Sequence, residues 1–233
     1  MAPGESAFAI HEVVVVFVTS NPIPHIGRAI DAEYRAGIDT SLYKFPGADR
    51  EPFTMLFLGS FRHLPNAEAL QWFVQRVLPV IRASEARARL IVIGSDPPPP
   101  HSLPEADAIE LIGFVDDVRE ALARYAVFVC PILSGSGVRV KLLEAFAAGI
   151  PVVSTRIGAE GLASVDAEIC ALADDAAGFA ERVLRLLKEP APAAEMARRA
   201  RDFVCEKRDM RVMTERLVKC YRTQLSELRN QSL

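Results

Sequence analysis

The segment that decides the fold reads Pro131-Ile-Leu-Ser-Gly-Ser-Gly-Val-Arg-Val-Lys-Leu-Leu-Glu-Ala-Phe-Ala-Ala-Gly-Ile-Pro-Val-Val-Ser-Thr155. It follows an apolar run, Val127–Cys130, that predicts a buried strand, and it turns through the glycine-rich loop 134–137 into a helix predicted over about residues 137–148. Gly149 and Pro151 end this helix, because glycine and then proline commonly follow a helix C-terminus. The segment therefore predicts a strand, a glycine-rich turn and a helix.

Apolar runs and amphipathic stretches alternate along the chain from Thr54 onward. The runs predict strands at Met55–Leu58, Leu90–Ile93, Ile109–Ile112, Val127–Cys130, 151–155 and Glu168–Leu172. The amphipathic stretches predict helices from an N-cap at Asn66 to about residue 81, with a kink at Pro79, and over residues 117–125, 137–148, 175–188, 193–206 and 210–228. Strands that are apolar throughout belong to sheets covered on both faces. We therefore expect an α/β fold, a doubly wound (Rossmann-like) parallel sheet with helices on both faces and long C-terminal helices.

The composition excludes several classes of protein. The 233 residues carry 27 Lys and Arg against 30 Asp and Glu, whereas a nucleic-acid-binding protein would carry a marked basic excess. No apolar run approaches the ~20 residues of a membrane-spanning helix, and Met1–Gly4 lacks the basic start of a secretory signal. The four cysteines are widely spaced and indicate reduced thiols in the cytoplasm. We expect no metal, no cofactor and no nucleic-acid partner.

Residues 1–50 do not follow this alternation. Val13–Val18 predicts a single strand, and Asn21–Pro24, Gly37 and Pro46–Gly47 interrupt any longer element. We therefore divide the chain into an N-terminal tail or linker, residues 1–50, and one domain, residues 51–233.

The charges on the predicted helix 137–148 are placed against its dipole. Arg139 and Lys141 fall in the first turns, where a cation is unfavourable by about 0.3–1 kcal/mol, and Glu144 falls toward the other end. The spacing puts Gly137, Lys141 and Glu144 on one face. One interpretation is an exposed i, i+3 ion pair worth about 0.2–0.5 kcal/mol. The other is an anion site, because a bound anion at the helix N-terminus makes the two cations favourable.

A dinucleotide fingerprint competes with this interpretation. Gly135 and Gly137 supply two of its three glycines, but Val140 stands at the third position, and the loop follows the fourth predicted strand instead of the first. The sequence therefore gives only weak support to a nicotinamide-dependent oxidoreductase.

The same segment resembles the donor-binding signature of group 1 (family 4) glycosyltransferases, enzymes of the GT-B architecture that use sugar nucleotides. In that family a Glu-x7-Glu motif leads into Ala-x-Ala-x-Gly-x-Pro-Val-Val. The second half is present as Glu144-Ala-Phe-Ala-Ala-Gly-Ile-Pro-Val-Val153, whereas Ser136 stands at the first Glu. The chain is instead similar to the subgroup with Gly-Ser-Gly-x-Arg-x-Lys before the second Glu. Further motifs agree at Leu58–Asn66, Val92–Gly94, Gly113–Asp117, Gly158–Leu162 and, as the interdomain linker, Gly37–Phe45.

The resemblance implies one GT-B half-domain, the C-terminal donor-binding one, preceded by a remnant of the interdomain linker. Glu144 matches the residue that binds the donor ribose. Arg139 and Lys141 match the catalytic cations that neutralise the diphosphate as the glycosidic bond breaks. The implied donor-binding residues around them are Gly59, Arg62, Phe114, Val115, Gly135, Ser136 and Gly137, where Phe114 and Val115 line the nucleobase.

The implied function is transfer of a hexosyl unit, with retention, from a nucleoside-diphosphate sugar to a glycan or lipid-linked acceptor in polysaccharide biosynthesis. Only about fifty residues precede the donor half, so the acceptor site would come from a missing or separate acceptor domain, or from a second copy docked through the C-terminal helix. We expect a cytoplasmic protein or one at the inner face of the cell membrane. The second hypothesis is a non-catalytic module that binds a nucleotide or a protein partner.

Overall fold

The computed structural model describes residues 36–45 and 50–231, so the predicted strand Val13–Val18 lies outside the described residues. Six parallel strands form one sheet with the order β3-β2-β1-β4-β5-β6. The strands are β1 (Glu51–Leu58), β2 (Arg89–Ile93), β3 (Ile109–Gly113), β4 (Tyr125–Cys130), β5 (Val152–Ser154) and β6 (Ala171–Leu172). This is the doubly wound order, in which the chain starts in the middle of the sheet and reverses direction between β1 and β4.

Seven helices connect and cover the strands within the described part of the chain. They are α1 (Leu64–Trp72), α2 (Leu78–Ser84), α3 (Arg119–Arg124), α4 (Val140–Ala147), α5 (Ala176–Lys188), α6 (Pro190–Lys207) and α7 (Met210–Gln231). One group of contacts joins α2 to α5, and a second joins α4 to α3 and α6. The predicted fold class is thus confirmed, with helices on both faces of a parallel sheet.

The sheet is apolar because it is buried on both faces. Residues 54–58 of β1 are all buried, and so are residues 90–93 of β2 and residues 127–130 of β4. The core continues into the helices through Phe73, Phe146 and Phe179, which are completely buried.

The first helix differs from the prediction at its start. It begins at Leu64, with His63 as N-cap, and Asn66 therefore lies inside the first turn. The stretch predicted as one helix with a kink at Pro79 is divided into α1 and α2 by one turn of π-helix, Phe73–Val77. A proline inside a helix removes a backbone donor and displaces the preceding turn.

The helix of the glycine-rich segment also starts later than predicted. α4 begins at Val140 with Arg139 as N-cap, because Gly135 and Gly137 have φ angles of +99° and +91°, which a right-handed helix does not allow. Gly137 is therefore not on the helix, and the predicted shared face is limited to Lys141 and Glu144. Strand β6 is shorter than the predicted Glu168–Leu172.

The segment 36–45 packs against the domain, where Ala36, Ile38 and Tyr43 are buried. The backbone of Ile38 donates to the carbonyl oxygen of Arg208 and accepts from the amide of Met210, both at 3.0 Å. These bonds attach the segment to the junction of α6 and α7. The predicted division of the chain at residue 50 stays a prediction.

Candidate functional site

A cleft of about 250 Å³ opens at the carboxyl edge of the sheet, beside the point where the strand order reverses. Doubly wound folds bind their ligands at this place. The cleft is lined by the loops after β1, β2 and β3, by the first turns of α4, and by Leu42 and Tyr43 from the segment before β1. The site therefore draws on five separate parts of the chain.

The structure brings five of the predicted site residues to this cleft: Gly59, Phe114, Val115, Lys141 and Glu144. The other five do not line it, namely Arg62, Gly135, Ser136, Gly137 and Arg139. The functional roles of all ten residues stay predictions.

The base of the cleft is formed where two glycine loops touch. The amide of Gly59 donates to the carbonyl oxygen of Ile93 at 3.0 Å. A Cβ atom on Gly94, whose φ is +155°, would lie 1.6 Å from the carbonyl oxygen of Gly59. Backbones approach this closely only at glycine, so the pair keeps the cleft deep between β1 and β2.

Lys141 extends from the first turn of α4 into the cleft. Its Nζ donates to the carbonyl oxygen of Leu58 at 3.0 Å and to Oδ1 of Asn66 at 2.9 Å. The ammonium also lies 5.2 Å from the centroid of the Phe57 ring. An ammonium has three N–H donors, and the hydrogen bonds to described residues account for two of them. Burial lowers the pKa of Lys141, and Arg139 adds to this effect.

Asn66 is a site residue that the sequence analysis assigned to helix capping. Its Nδ2 donates to the carbonyl oxygen of Ser60 at 3.0 Å, while its Oδ1 accepts from Lys141 at 2.9 Å. The same side chain closes against Gly59, where an added Cβ would meet Asn66 Cγ at 2.8 Å. Asn66 therefore connects the loop after β1 to the cation on α4.

Glu144 lies one helical turn beyond Lys141 and also lines the cleft. The hydroxyl of Tyr43 donates to its Oε1 at 3.1 Å. Burial raises the pKa of Glu144 above its ordinary value, with a contribution from Asp117, although the Tyr43 hydrogen bond opposes the shift. Burial and the Glu144 carboxylate together raise the pKa of Tyr43 well above its ordinary range. The Tyr43 hydroxyl therefore stays protonated and donates its hydrogen bond to the Glu144 carboxylate.

These contacts exclude one of the two interpretations of the charges on α4, the exposed ion pair. Lys141 and Glu144 are both partly buried, and no ion pair joins them in the part of the chain that the structure describes. The cation points to the β1 loop, and the carboxylate points to Tyr43. The exposed i, i+3 pair is therefore absent among the described residues, and each of the two side chains has its own partners in the cleft.

The glycine-rich loop 134–137 lies beside the cleft and is held by two charged side chains. The Arg139 guanidinium donates to the carbonyl oxygens of Ser134 at 3.3 Å and Ser136 at 3.4 Å, and its buried Nε has no hydrogen-bond partner among the described residues. From the loop after β5, Oε2 of Glu160 accepts from the amide of Gly137 at 3.1 Å. The Glu160 carboxylate thus already accepts a hydrogen bond from one of the backbone amides that were predicted to bind an anion.

Arg62 stands away from the cleft. Its side chain is 77% exposed and forms an ion pair with Asp96, in which Nε lies 2.8 Å from Oδ2. The structure therefore gives the predicted basic residue of the β1 loop a carboxylate partner at the surface.

The sequence analysis missed Tyr43, Asn66 and Glu160 as site residues. Tyr43 lies about a hundred positions before Glu144, and no local pattern relates them. Glu160 falls in the motif Gly158–Leu162, and its distance from the glycine-rich loop fits only the ribose carboxylate of the weak dinucleotide interpretation. Asn66 lies in the first turn of α1, where its side chain predicted only a helix cap.

Within residues 36–45 and 50–231, no helix is long and apolar enough to cross a bilayer. In the same part of the chain, no group of three or more His, Cys, Asp or Glu side chains is arranged to hold a metal ion.

This chain is similar in sequence to several proteins. An uncharacterized 44.6 kDa protein in the cps region of Klebsiella pneumoniae is 28% identical over 177 residues, which are 72% of this chain and 45% of that protein. A phosphatidyl-myo-inositol mannosyltransferase of Mycolicibacterium smegmatis is 28% identical over 184 residues, 76% of this chain and 47% of the relative. The chain thus spans about half the length of these relatives.

The fold also matches the crystal structure of Anabaena Alr3699/HepE in complex with UDP. The TM-score is 0.67 at 13% identity, and the match covers 82% of this chain and 57% of the other. The family model described as "Glycosyl transferases group 1" matches residues 52–189, which contain the sheet apart from Glu51 and also contain Lys141 and Glu144 of α4. The chain therefore belongs to the group 1 glycosyltransferases.

Proposed function

We propose that this chain is the donor-binding half of a glycosyltransferase that transfers a hexosyl unit, with retention and without a metal ion, from a nucleoside-diphosphate sugar to a glycan or lipid-linked acceptor. The observation that carries the proposal is the cleft at the reversal point of the sheet, in which α4 presents Lys141 and Glu144 one turn apart. A nucleoside diphosphate offers hydroxyl donors to the carboxylate and anionic oxygens to the ammonium.

The binding mode follows from the lining of the cleft. The loop with the exposed ring of Phe114 and with Val115 supplies an apolar surface for the base. Glu144 accepts hydrogen bonds from the ribose hydroxyls, a task for which a carboxylate has two acceptor oxygens. The remaining N–H of Lys141 faces the diphosphate, and the Gly135–Gly137 loop, held by Arg139, covers the donor sugar.

The chemistry assigned to Lys141 is electrostatic. When the glycosidic bond of the donor breaks, negative charge develops on the leaving diphosphate. A cation that is fixed before the reaction stabilises that charge strongly in a water-poor site. Lys141 is fixed by two hydrogen bonds. The structure thus supports Lys141 as the cation at the diphosphate, whereas the Arg139 guanidinium is engaged with loop carbonyls.

The comparisons support a nucleotide-sugar donor and a larger assembly. One neighbour in fold binds UDP, and a second structure of the same protein holds UDP-glucose. Because the chain spans about half the length of its relatives, we propose that the acceptor site belongs to a further domain, a separate protein or a second copy. The named relatives point to polysaccharide or glycolipid synthesis. We place the reaction in the cytoplasm or at the inner face of the cell membrane, in agreement with the four free thiols.

Calorimetric titration of the purified chain with UDP, GDP and ADP tests the proposal. We expect saturable binding of one of them, and a loss of at least about tenfold in Lys141→Met and in Glu144→Gln, because each variant removes one charged contact to the ligand. The matched controls are Lys207→Met and Glu181→Gln, which change exposed residues on other helices. Absence of saturable binding for all three nucleotides would reject the donor site.

A non-catalytic module is the second candidate, and two observations favour it. Ser136 replaces the first carboxylate of the family motif, and Glu160 occupies the Gly137 amide. An assay with the product of the neighbouring gene or with whole-cell acceptors separates the two. Sugar transfer that disappears in Lys141→Met indicates the enzyme, whereas partner binding that is unchanged in that variant, without transfer, indicates the module.

A further inference from the structure

We propose that Tyr43 is a positioning residue for the nucleotide ribose: its hydroxyl fixes the Glu144 carboxylate in the orientation that selects a ligand with both ribose hydroxyls. This inference rests on the proposed function of the cleft and adds to it a residue from the segment before β1.

The geometry places one tyrosine hydroxyl on one oxygen of the carboxylate. Tyr43 is buried, with 5% of its surface exposed, and its hydroxyl lies 3.1 Å from Glu144 Oε1. Both residues line the same cleft. Among the described residues, this hydroxyl forms its hydrogen bond with Glu144.

The main chain at Tyr43 is itself fixed. Arg201 of α6 donates from Nη1 to the carbonyl oxygen of Tyr43 at 3.2 Å, and it also donates to the carbonyl oxygen of Ala147 at the end of α4. The same arginine therefore holds the tyrosine and the helix that carries Glu144. The backbone amide of Tyr43 donates to the carbonyl oxygen of Thr40 at 3.3 Å, and this hydrogen bond closes the short 3₁₀ turn Thr40–Leu42.

The chemical consequence concerns the free acceptor positions of the carboxylate. A carboxylate offers about four lone-pair positions on its two oxygens. Tyr43 takes one on Oε1, and this contact fixes the rotation about the last bond of the Glu144 side chain. The plane of the carboxylate is then set before the ligand arrives, and the free positions remain for a pair of neighbouring hydroxyls. Fixing a contact in advance lowers the entropy that binding must remove.

The experiment compares Tyr43→Phe with Tyr125→Phe, a matched control. Tyr125 is as buried as Tyr43, but it is the first residue of β4 and therefore lies at the end of the strand away from the cleft. Each protein is titrated with UDP, GDP and ADP and with the 2′,3′-dideoxy form of each. The measured quantity is the affinity ratio between the ribose form and its dideoxy form. Thermal unfolding of each variant shows that it is folded.

We expect the ratio to fall about three- to tenfold in Tyr43→Phe, the equivalent of one hydrogen bond, while the affinity for the dideoxy form stays within about twofold. Tyr125→Phe keeps the wild-type ratio. Glu144→Gln also lowers the ratio, and addition of Tyr43→Phe to it causes no further fall, because the two residues act as one unit.

Two results would overturn the assignment while leaving the donor site intact. In the first, Tyr43→Phe keeps the wild-type ratio. In the second, Tyr43→Phe weakens the ribose and dideoxy forms equally, which identifies Tyr43 as a wall of the cleft. Failure of the wild-type chain to bind any of the nucleotides overturns the proposed function together with this inference, and the wild-type titration distinguishes this outcome from the other two.

Discussion

Lys141 Nζ and Asn66 Oδ1 lie 2.9 Å apart, so the cation of the cleft is held by a residue on the opposite side of the β1–β4 junction. The distance joins α4, which follows β4, to α1, which follows β1. Through the second contact of Asn66, to Ser60, the position of the ammonium depends on the conformation of the β1 loop.

Replacement of Asn66 by Ala removes one of the two protein acceptors of Lys141. We expect nucleoside diphosphate affinity to fall about three- to tenfold, since the ammonium loses the contact that orients it. Calorimetric titration measures the effect, and Gln71→Ala, an exposed position on the same helix, serves as the control. Equal affinities in Asn66→Ala and the wild type would show that Lys141 does not depend on this contact.

Glu144→Gln should separate stability from binding. Burial raises the pKa of Glu144, so the ionised form is less favourable in the folded chain than in the unfolded one. The contribution of this group to the free energy of unfolding is fully present below pH about 4.5, the ordinary pKa of a glutamate. This contribution declines as the pH rises through the raised pKa of Glu144 in the folded chain. The variant should therefore become more stable than the wild type as the pH rises, while it binds nucleotide less tightly. Urea unfolding between pH 4 and pH 8 measures the difference, and a constant difference in unfolding free energy would contradict the sign.

The affinity of the wild type for nucleotide should decrease on acidification at a higher pH than an ordinary glutamate would give. Protonation of Glu144 removes the acceptor for the ribose hydroxyls. Titrations at a series of pH values follow the midpoint, which Glu144→Gln should abolish. The same midpoint in both proteins would assign the titration to another group.

Glu160→Gln tests the carboxylate at the Gly137 amide. Glutamine can still accept from that amide, but it carries no charge next to the proposed diphosphate. We expect a gain in affinity of about two- to fivefold at low ionic strength that vanishes in high salt, because the group is exposed and screened. Glu181→Gln on α5 controls for the change in net charge. Weaker nucleotide binding in Glu160→Gln would instead indicate a direct contact between Glu160 and the ligand.

Arg50 is expected to be a major contributor to stability. Its guanidinium donates to five carbonyl oxygens, those of Leu122, Ala123, Tyr125, Ala148 and Gly149. These lie at or just past the C-termini of α3 and α4, and burial lowers the pKa of Arg50 to about 10. Arg50→Ala should cost about 2–4 kcal/mol of unfolding free energy, since it leaves several carbonyls without a donor. Arg198→Ala, which breaks two exposed ion pairs, should cost less than about 1 kcal/mol. Similar losses in both variants would contradict the role of Arg50.

The fold was predictable because its signal is local. The apolar runs of β1, β2 and β4 can each be recognised within ten or twenty residues of sequence. The start of α4 was wrong by three residues, because the φ angles of Gly135 and Gly137 depend on the loop and not on helix propensity. The glycines of the loop indicate a turn, but no residue pattern indicates that the turn ends, and α4 begins, only at Val140.

The site was predictable only in part, for a related reason. Lys141 and Glu144 are separated by three positions on one helix, so their proximity follows from helix geometry. Their partners Asn66 and Tyr43 are separated from them by 75 and 101 positions, respectively. These contacts depend on how the sheet brings distant loops together, and a single sequence does not encode them in any local pattern.

The attachment of residues 36–45 to the junction of α6 and α7 has a practical consequence for dissecting the protein. A recombinant chain trimmed to begin at Glu51 would remove Ile38 from the backbone of Arg208 and Met210, Thr40 from Asp209, and Tyr43 from Glu144. The shortened chain would expose apolar surface that residues 36–45 cover. It would also change the lining of the cleft. Fusion proteins or crystallisation fragments should therefore start no later than Ala36.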